Sequence, residues 1–346
     1  MMKSGNRHTR LWAFLATLAI ILSFSGPTLA VDDGARAYWK GRSGTQGISV
    51  QYLHFNVNAS DSQQFDPGAY IYPNSDVNAN IFIATWAPHF TLFNRPSFVA
   101  VNIAGGSVDA DVNTNLLPPQ YLPPGVSPGS SFSQSASGFA DPNAQLVVNL
   151  FGTPPLKSGV DLLNYEPTWT LDAAGLLAFP VGQYDSDKLV NMGQNRWYGR
   201  IALPFKYHFG VFDPGHMTSL EVTPSVWLFA ENGDFFLEVT PSVWLFAENG
   251  DFLGEKLKND PMWQFEAHLT HDFTRSFFGS LDLLYRRGFQ SEINDVDMGE
   301  DLNIGNLGFT LNYNATDNLA IRTGFSSNVF GDSDLDNSII RLQFVY

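Results

Sequence analysis

The sequence contains no cysteine, so no disulfide framework can hold the fold together. Basic residues are scarce as well, because 34 Asp and Glu outnumber 19 Lys and Arg and give a formal net charge of −15. No run of Lys and Arg is long enough to follow a phosphate backbone, which argues against nucleic acid as a partner. Stability must therefore come from a large core or from a closed, hydrogen-bonded sheet.

Long apolar runs are missing after the first 30 residues. No later stretch approaches 18 apolar residues, which excludes transmembrane helices there. Residues 1–30 have three basic residues, then an apolar run at 11–24, and end in Thr28-Leu29-Ala30. This is the pattern of a secretory signal peptide, and the apolar run is too short for a membrane anchor. We predict cleavage after Ala30, which leaves a mature chain of residues 31–346.

Two-residue alternation is the strongest pattern in the mature chain, and it places successive side chains on opposite faces of a strand. Residues 197–209 alternate an apolar, aromatic-rich face with a largely basic one, and residues 168–179, 262–273 and 277–286 alternate similarly. Strands that face lipid on one side and a polar lumen on the other leave mean hydropathy near neutral with many aromatics. The mean hydropathy of this chain is −0.09 and 14% of its residues are aromatic, which matches that description. A soluble β-sandwich, whose strands also alternate, is the alternative.

Counting strands gives about twelve. The remaining candidates lie around 47–57, 77–90, 98–108, 142–152, 220–229, 302–313 and 319–329, together with the C-terminal residues. At the C-terminus, Ile340, Leu342, Phe344 and Tyr346 share one face, which resembles the last strand of outer-membrane barrels that the barrel-assembly machinery receives. The predicted fold is an all-β, transmembrane antiparallel β-barrel in the outer membrane of a Gram-negative bacterium, with membrane lipid and that machinery as partners.

The connections alternate in length, as expected for a barrel with both termini on one side. Thr274-Arg275-Ser276 and Ala315-Thr316-Asp317 read as tight turns, whereas Gln290–Asp301 and Gly331–Asp336 read as longer, acid-rich loops. The stretch Asp109–Ser137, rich in Pro, Gly and Ser, is predicted to be the longest loop.

A tandem duplication interrupts this regularity. Residues 220–235 recur without change at 237–252, and no other segment shares the period, so a solenoid is not indicated. Each copy reads as one strand ending in an Asn-Gly turn. One additional strand would reverse every strand after it, so we predict that one copy lies outside a wall of twelve strands.

Three motifs carry a family resemblance: Gly138-Phe139-Ala140-Asp141-Pro142, then Phe179-Pro180-Val181-Gly182-Gln183-Tyr184-Asp185, then Gly193-Gln194-Asn195-Arg196-Trp197. They resemble the phenol meta-pathway outer-membrane protein family, as does Glu248-Asn249-Gly250-Asp251-Phe252. The resemblance implies an outer-membrane barrel that helps hydrophobic or aromatic compounds enter, and it implies no catalytic residues. Read as local chemistry, these Pro and Gly residues are typical of turns at strand ends.

Strand parity also predicts which side chains face the lumen. Ionisable groups at the lipid midplane would cost about 2–4 kcal/mol, so their inward placement is favoured. The pore-lining candidates are Asp172, Arg196, Arg200, Lys206, His208, Glu266, His268, Asp272, Asp282, Arg286, Arg322 and Arg341. They could form a constriction that selects permeants, or a charge network that fills the barrel. The predicted membrane-interface aromatics are Trp169, Trp197, Trp263 and Tyr346.

Patterns of catalysis and metal binding are weak. Gly-x-Ser-x-Gly and His-Glu-x-x-His are absent, and His208, His268 and His271 have no serine at a suggestive spacing, which disfavours an outer-membrane hydrolase. Glu266 and His268 alone do not make a metal site. The acidic loops could bind Ca²⁺ loosely or simply be solvated, and they would be the working part of an alternative structural or adhesive barrel. The sequence predicts a small-molecule permeant and no cofactor.

Overall fold

The structure is a computed structural model. It describes residues 34–59, 63–64, 70–71, 75–113, 127, 129–188, 190–195, 197–210, 215–230, 243–245, 249–252, 255–259, 262–288, 291–293, 296–297, 302–316, 318–331 and 334–345.

Nearly all regular structure is β-strand. In the first half of the chain the strands are β1 (Gln46–Ala59), β2 (Gln63–Gln64), β3 (Tyr70–Ile71), β4 (Ser75–Leu92), β5 (Arg95–Asn113), β6 (Ser131–Phe139), β7 (Asn143–Phe151), β8 (Trp169–Ala178), β9 (Trp197–Ala202) and β10 (Phe205–Phe209). In the second half they are β11 (Thr218–Val222), β12 (Ser225–Ala230), β13 (Val243–Leu245), β14 (Asn249–Phe252), β15 (Glu255–Asn259), β16 (Met262–Thr274), β17 (Phe277–Gly288), β18 (Ser291–Ile293), β19 (Val296–Asp297), β20 (Leu302–Asn314), β21 (Leu319–Gly331) and β22 (Asp334–Val345). Among the described residues there is one short helix, α1, which spans Gly159–Leu163.

The strand pairings run around a ring. From β1 they pass through β4, β5 and β7 to β8, then through β10 and β11 to β16, and on through β17, β20, β21 and β22 back to β1. Three wall strands are interrupted, because β6 continues into β7, β9 into β10 and β11 into β12. Counted this way the described wall has twelve positions, which is the number expected from the sequence, and these strands pair antiparallel with their neighbours. The exception is at one end of the wall, where the three residues of β13 lie between β12 and β16 and run parallel to β12. β14, β15, β18 and β19 form a separate small sheet.

Proline accounts for the three interruptions, since it has no backbone N–H to donate to a ladder. Pro142 lies between β6 and β7, Pro204 between β9 and β10, and Pro224 between β11 and β12. The last two breaks are bridged by hydrogen bonds through proline carbonyls, with the Leu203 N–H donating to Pro224 O at 2.9 Å and the Asp172 N–H donating to Pro204 O at 2.9 Å. The wall therefore remains hydrogen-bonded where its strands are broken.

The two ends of the ring differ. At the short-turn end, which also holds the start of β1 and the end of β22, neighbouring strands are joined by residues 93–94, 152–168, 210–217, 275–276 and 315–318. At the opposite, long-loop end the connections are 60–74, 114–130, 179–196, 231–261, 289–301 and 332–333. Two connections depart from the predicted alternation: 332–333 is as short as a turn, and 152–168 is long and contains α1. Two predicted loops are shorter than expected because β5, β6, β21 and β22 extend into them. The alternating small polar residues of β6 were mistaken for irregular chain.

Apolar side chains point outward from the ring and polar ones inward. On β16, Phe265, Leu269 and Phe273 are exposed, whereas Glu266 and His268 between them are buried. The same arrangement holds on β8, β10, β17 and β20. In a soluble β-sandwich the apolar face would instead be the buried one, so that alternative was wrong. Among the described residues, no helix is long and apolar enough to cross a membrane.

The duplicated units, copy 1 (220–235) and copy 2 (237–252), occupy different positions. Copy 1 supplies part of β11 and all of β12 in the wall. Copy 2 supplies β13, three residues placed between β12 and β16 at the long-loop end, and β14 in the small sheet. β13 runs parallel to β12, with Trp244 beside Trp227. Residues 231–242 lie outside the described part of the chain, so the prediction that one whole copy lies outside the wall stays a prediction.

Candidate functional site: the barrel interior and its N-terminal segment

A segment that precedes the first strand crosses the interior of the ring. We call residues 34–45 the N-terminal segment; it contacts β8, β10, β11, β16, β17 and β21 before it enters β1. The segment also contacts His89 of β4 and Phe98 of β5, on the other side of the ring, so it lies inside the ring. Residues 35–38 form a turn, and positive φ values occur at Gly34, just before it, and at Arg36 within it, at 80° and 61°.

Arg36 and Trp39 attach the segment to the wall through carboxylates. The Arg36 backbone N–H donates to Glu221 Oε2 at 2.8 Å, and Trp39 Nε1 donates to Glu221 Oε1 at 2.7 Å. The Arg36 guanidinium pairs with Asp272 and lies 3.8 Å from the centre of the Phe278 ring. A single wall carboxylate therefore fixes both the backbone and an indole of the segment.

Lys40 makes a second buried ion pair. Its Nζ donates to Asp172 Oδ2 at 2.7 Å, and both side chains are 3% exposed. Asn149 completes the site by donating from Nδ2 to Asp172 Oδ1 at 2.8 Å. Burial lowers the pKa of Lys40 and of Arg36, whereas the facing carboxylates oppose that shift. Each charge in this region depends on its partner because neither is well solvated.

Backbone contacts hold the segment at the short-turn end. The Ser43 N–H donates to Leu156 O at 2.7 Å, and the Gly44 N–H donates to His89 O at 2.8 Å. The Gly41 N–H donates to His89 Nδ1 at 3.2 Å. Arg322 reaches the segment from β21, with Nη1 donating to Ala35 O at 2.7 Å. The segment thus narrows the interior where the short turns lie.

A second polar cluster lies on β16, β17 and β20. His268 Nδ1 is 2.6 Å from Asp282 Oδ1, and His268 Nε2 is 2.8 Å from Glu266 Oε1. Ser280 donates to Asp282 Oδ1, and Thr310 donates to Asp282 Oδ2 at 2.7 Å. Both imidazole nitrogens face carboxylate oxygens, so the histidine links two negative groups into one charge-assisted network.

One pairing was missed in the sequence. His208 Nδ1 lies 2.7 Å from Ser219 Oγ, so the fold does bring a serine to a histidine. Ser219 is fully buried, however, and the edge of His208 packs against the Trp39 ring at 5.9 Å between centroids. A nucleophile needs access to its substrate, so this pair does not support a hydrolase.

On the opposite side of the ring, amides lie on the inward face of β4, β5 and β7. Thr85 donates to Asn102 Oδ1 at 2.6 Å, and Asn102 donates to Asn143 Oδ1 at 2.7 Å. These side chains are half-buried. Neutral hydrogen bonds therefore join the three strands on this face.

Another polar cluster lies on the outward face of β1 and β4. Tyr52 donates from its hydroxyl to Asn80 Oδ1 at 2.7 Å, and His54 Nδ1 lies 2.9 Å from the same oxygen. Tyr52 is the register partner of Phe82, which is 58% exposed, and Asn80 lies on the same face as Phe82. This cluster therefore belongs to the outer surface of the ring.

Most of the pore-lining candidates face the interior. Those between 2% and 8% exposed are Asp172, Arg200, Lys206, His208, Glu266, His268, Asp272, Asp282 and Arg286. Arg322 is half-buried. Arg196 and the side chain of Arg341 lie outside the described part of the structure.

The predicted interface aromatics are placed less completely. Trp169 and Trp197 are 43% and 39% exposed, at opposite ends of the wall. The side chain of Trp263 and the whole of Tyr346 lie outside the described residues. Their position relative to a membrane stays a prediction.

Sequence reasoning omitted the residues of the segment itself. Arg36, Trp39 and Lys40 precede the first strand and follow no strand alternation, although two basic residues in an acidic chain were a usable signal. Glu221 was also omitted. It alternates with Leu220 and Val222, so strand parity would have assigned it to the interior.

The three motifs of the resemblance meet at the break between β6 and β7. Asp141 accepts hydrogen bonds from the Gly182 N–H at 2.8 Å and from the Gln194 N–H at 2.7 Å. The Gln183 N–H donates to Phe139 O at 2.8 Å. One carboxylate therefore joins all three motifs and fixes the 179–196 connection against the wall, which is a structural role.

Metal binding finds no support in the described residues, where no group of three His, Asp or Glu side chains is arranged to hold an ion. The acidic loop side chains considered for Ca²⁺ lie outside the described part of the chain.

Comparison with known proteins identifies the family of the chain. A family model described as "Putative MetA-pathway of phenol degradation" matches residues 60–332. An outer membrane channel from Pseudomonas putida F1 has a TM-score of 0.61 at 14% identity, with 92% of this chain and 100% of that chain covered. The β domain of the Bordetella autotransporter BrkA has a TM-score of 0.43 at 7% identity, with 88% and 100% covered. No curated protein sequence gives a significant match. Because the family model spans most of the chain, the protein belongs to the phenol-degradation MetA-pathway family, and its fold is that of an outer-membrane β-barrel.

Proposed function

We propose that the protein is a passive channel in the outer membrane of a Gram-negative bacterium, and that it admits small hydrophobic or aromatic molecules without a cofactor. The observation that carries the proposal is the inverted ring, whose apolar side chains face outward and whose ionisable side chains face inward. Lipid favours the first face, and a permeation path requires the second. The Pseudomonas putida neighbour is itself an outer membrane channel.

Aromatic permeants are favoured by the family description and by rings inside the barrel. Tyr38 and Trp39 of the N-terminal segment lie inside the ring, and Phe98 and Phe278 on the wall are buried. His89 lies 5.2 Å from Phe98 between ring centroids. Tyr38 is buried as well, whereas Trp39 is half-buried, so Trp39 is the ring of these four that a planar apolar molecule passing the segment would contact.

The export route is part of the proposal. Removal of residues 1–30 would place the new N-terminus a few residues before Gly34, next to the point where the N-terminal segment begins. The C-terminal strand β22 pairs with β1 over its whole length, and we assign recognition by the barrel-assembly machinery to its apolar face.

The test is bilayer conductance of the refolded mature protein, after heat-modifiable migration on a gel has confirmed folding. Discrete steps that phenol or toluene blocks are the expected result. A folded barrel with no conductance and no block by either compound would contradict a channel.

Two interior variants locate the path. Arg200→Ala and Glu266→Ala remove buried inward-facing charges and are expected to change single-channel conductance or ion selectivity. Asp161→Asn is the matched control, because it removes an exposed charge in the 152–168 connection. Unchanged traces for both interior variants would show that these charges only fill the barrel.

A structural barrel with a plugged lumen is the second candidate. The observation that favours it is the N-terminal segment, which two ion pairs and several backbone hydrogen bonds hold across the interior. The conductance test separates the two functions, because a plugged barrel gives no current until the segment is displaced.

A further inference from the structure

At the long-loop end of the wall, the position between β9 and β16 is filled by strands from both copies of the duplicated unit. Copy 1 pairs with β9 through β12, where Val226 lies opposite Ile201. Copy 2 pairs with β16 through β13, where Val243 lies opposite Trp263. The two strands that flank this position are therefore each paired with a different copy.

Both copies use the same register. In β11, which belongs partly to copy 1, Val222 lies opposite Ala267 of β16. Continuing that antiparallel register by four residues places Val226 opposite Trp263. The residue found there is Val243, which is the equivalent of Val226 in copy 2. Copy 2 thus meets β16 as copy 1 would have met it.

We propose that the two copies are alternative occupants of one wall position, so that the chain folds into two barrels that differ in which copy spans the wall. Register in a sheet is set by the pattern of side chains, and that pattern is identical over the whole unit. One interior contact is conserved in the exchange. Glu221 accepts hydrogen bonds from the Arg36 N–H and from Trp39 Nε1, and copy 2 carries Glu238 at the equivalent position. The contact of Ser219 with His208 is lost, because Ser219 precedes the duplicated unit and its equivalent is Phe236.

The two forms place the spare copy on opposite sides of the membrane. When copy 1 forms the wall strand, copy 2 belongs to the connection at the long-loop end. When copy 2 forms the wall strand, copy 1 lengthens the 210–217 connection at the short-turn end. The cost of closing a loop grows only with the logarithm of its length, so moving 17 residues from one end to the other changes the balance little. The choice is fixed at assembly, because exchange within lipid would expose unpaired backbone groups.

Crosslinking tests the exchange directly, since the chain has no native cysteine. Ile201→Cys is combined with Val226→Cys in one variant and with Val243→Cys in another, and linked peptides are quantified by mass spectrometry on heat-modifiable protein. We expect both pairs to link. The pair Ile201→Cys with Ile48→Cys is the background control, because among the described strands β1 pairs with β4 and β22 and not with β9. Linking of Val243→Cys no higher than this control would overturn the proposal.

Proline substitution gives a second, independent readout. Leu228→Pro disables copy 1 as a wall strand, and Leu245→Pro disables copy 2. Each single variant is expected to yield folded barrel, and the double variant is expected to yield none. Failure of Leu228→Pro alone, with Leu245→Pro folding normally, would show that copy 1 is the obligatory strand.

A single-copy chain calibrates the proline effect. Deleting residues 220–236 or residues 236–252 gives the same sequence. That chain is expected to fold, and the proline in its remaining copy is expected to abolish folding. If the single-copy chain still folds with the proline, the folding of Leu228→Pro or Leu245→Pro in the two-copy chain would not show that the second copy had replaced the first.

Discussion

The two sides of the barrel interior satisfy their polar groups in different ways. On the amide-rich side, formed by β4, β5 and β7, neutral hydrogen bonds run from Thr85 to Asn102 and on to Asn143, and these side chains stay half-buried. On the charged side, formed by β8, β10, β11, β16 and β17, the carboxylates are buried, and several take their partners from the N-terminal segment. The wall alone can therefore complete the first side, whereas the second depends on a segment that is not part of the wall.

The largest expected effect is the loss of a counter-charge that the segment supplies. Lys40→Ala leaves Asp172 buried without its ammonium partner, and breaking a buried pair costs about 3–5 kcal/mol. Denaturant unfolding in lipid vesicles measures the loss. Arg42→Ala is the matched control, because Arg42 belongs to the same segment and is exposed. Equal stability of the two variants would show that the charged side does not depend on the segment.

Removing a hydrogen-bonding side chain from each side gives the next largest difference. His268→Ala deletes two hydrogen bonds to buried carboxylates, each worth about 1.5–3 kcal/mol. Thr85→Val deletes a hydrogen bond to the neutral amide of Asn102, worth about 0.5–1.5 kcal/mol. Unfolding free energies of the two variants measure the contrast. If Thr85→Val is the more damaging substitution, the two sides do not differ as described.

Reaction with a thiol reagent compares the two sides without asking about stability. Asn102→Cys on the half-buried amide-rich side is expected to react at least about tenfold faster than Ser280→Cys on the buried charged side, because thiol modification requires access. Conductance recorded during labelling shows whether the modified position lines the open path. Faster labelling at residue 280 would place that path on the charged side.

The smallest effect is expected outside the barrel, in the 152–168 connection. Asp161 accepts hydrogen bonds from Ser158 Oγ at 2.8 Å and from the Ser158 N–H at 2.7 Å, and these bonds lower the pKa of its carboxyl group. A carboxyl group whose pKa is lower in the folded state stabilises the fold above its unfolded pKa, and this contribution is lost as the pH falls through the folded pKa. The protection of the Ser158 amide against hydrogen exchange, taken relative to the intrinsic exchange rate at the same pH, is therefore expected to fall at acid pH. Asp161→Asn should remove most of that pH dependence, and an unaltered profile would rule out the assignment.

The strands themselves could be found from the sequence. All twelve predicted segments coincide with wall strands, because lipid outside and polar groups inside impose a period of two on every spanning strand. β6 could not be found in this way. Serine stands at every second position from Ser131 to Ser137, so the two faces of the strand differ little in hydropathy and the sequence resembles irregular chain.

The sequence by itself therefore determined the fold class, the strand count, the face on which most interior charges lie and the duplication. Only the tertiary structure decided the partners. Ser219 meets His208 because β10 and β11 pair in one register, and Asp282 meets His268 because β16 and β17 pair in another. Arg36 reaches Asp272 across 236 positions of sequence. Alternation along a strand specifies the face on which a side chain lies. The partner of that side chain depends on strand register and on closure of the ring. Register and closure involve strands that are distant in the sequence.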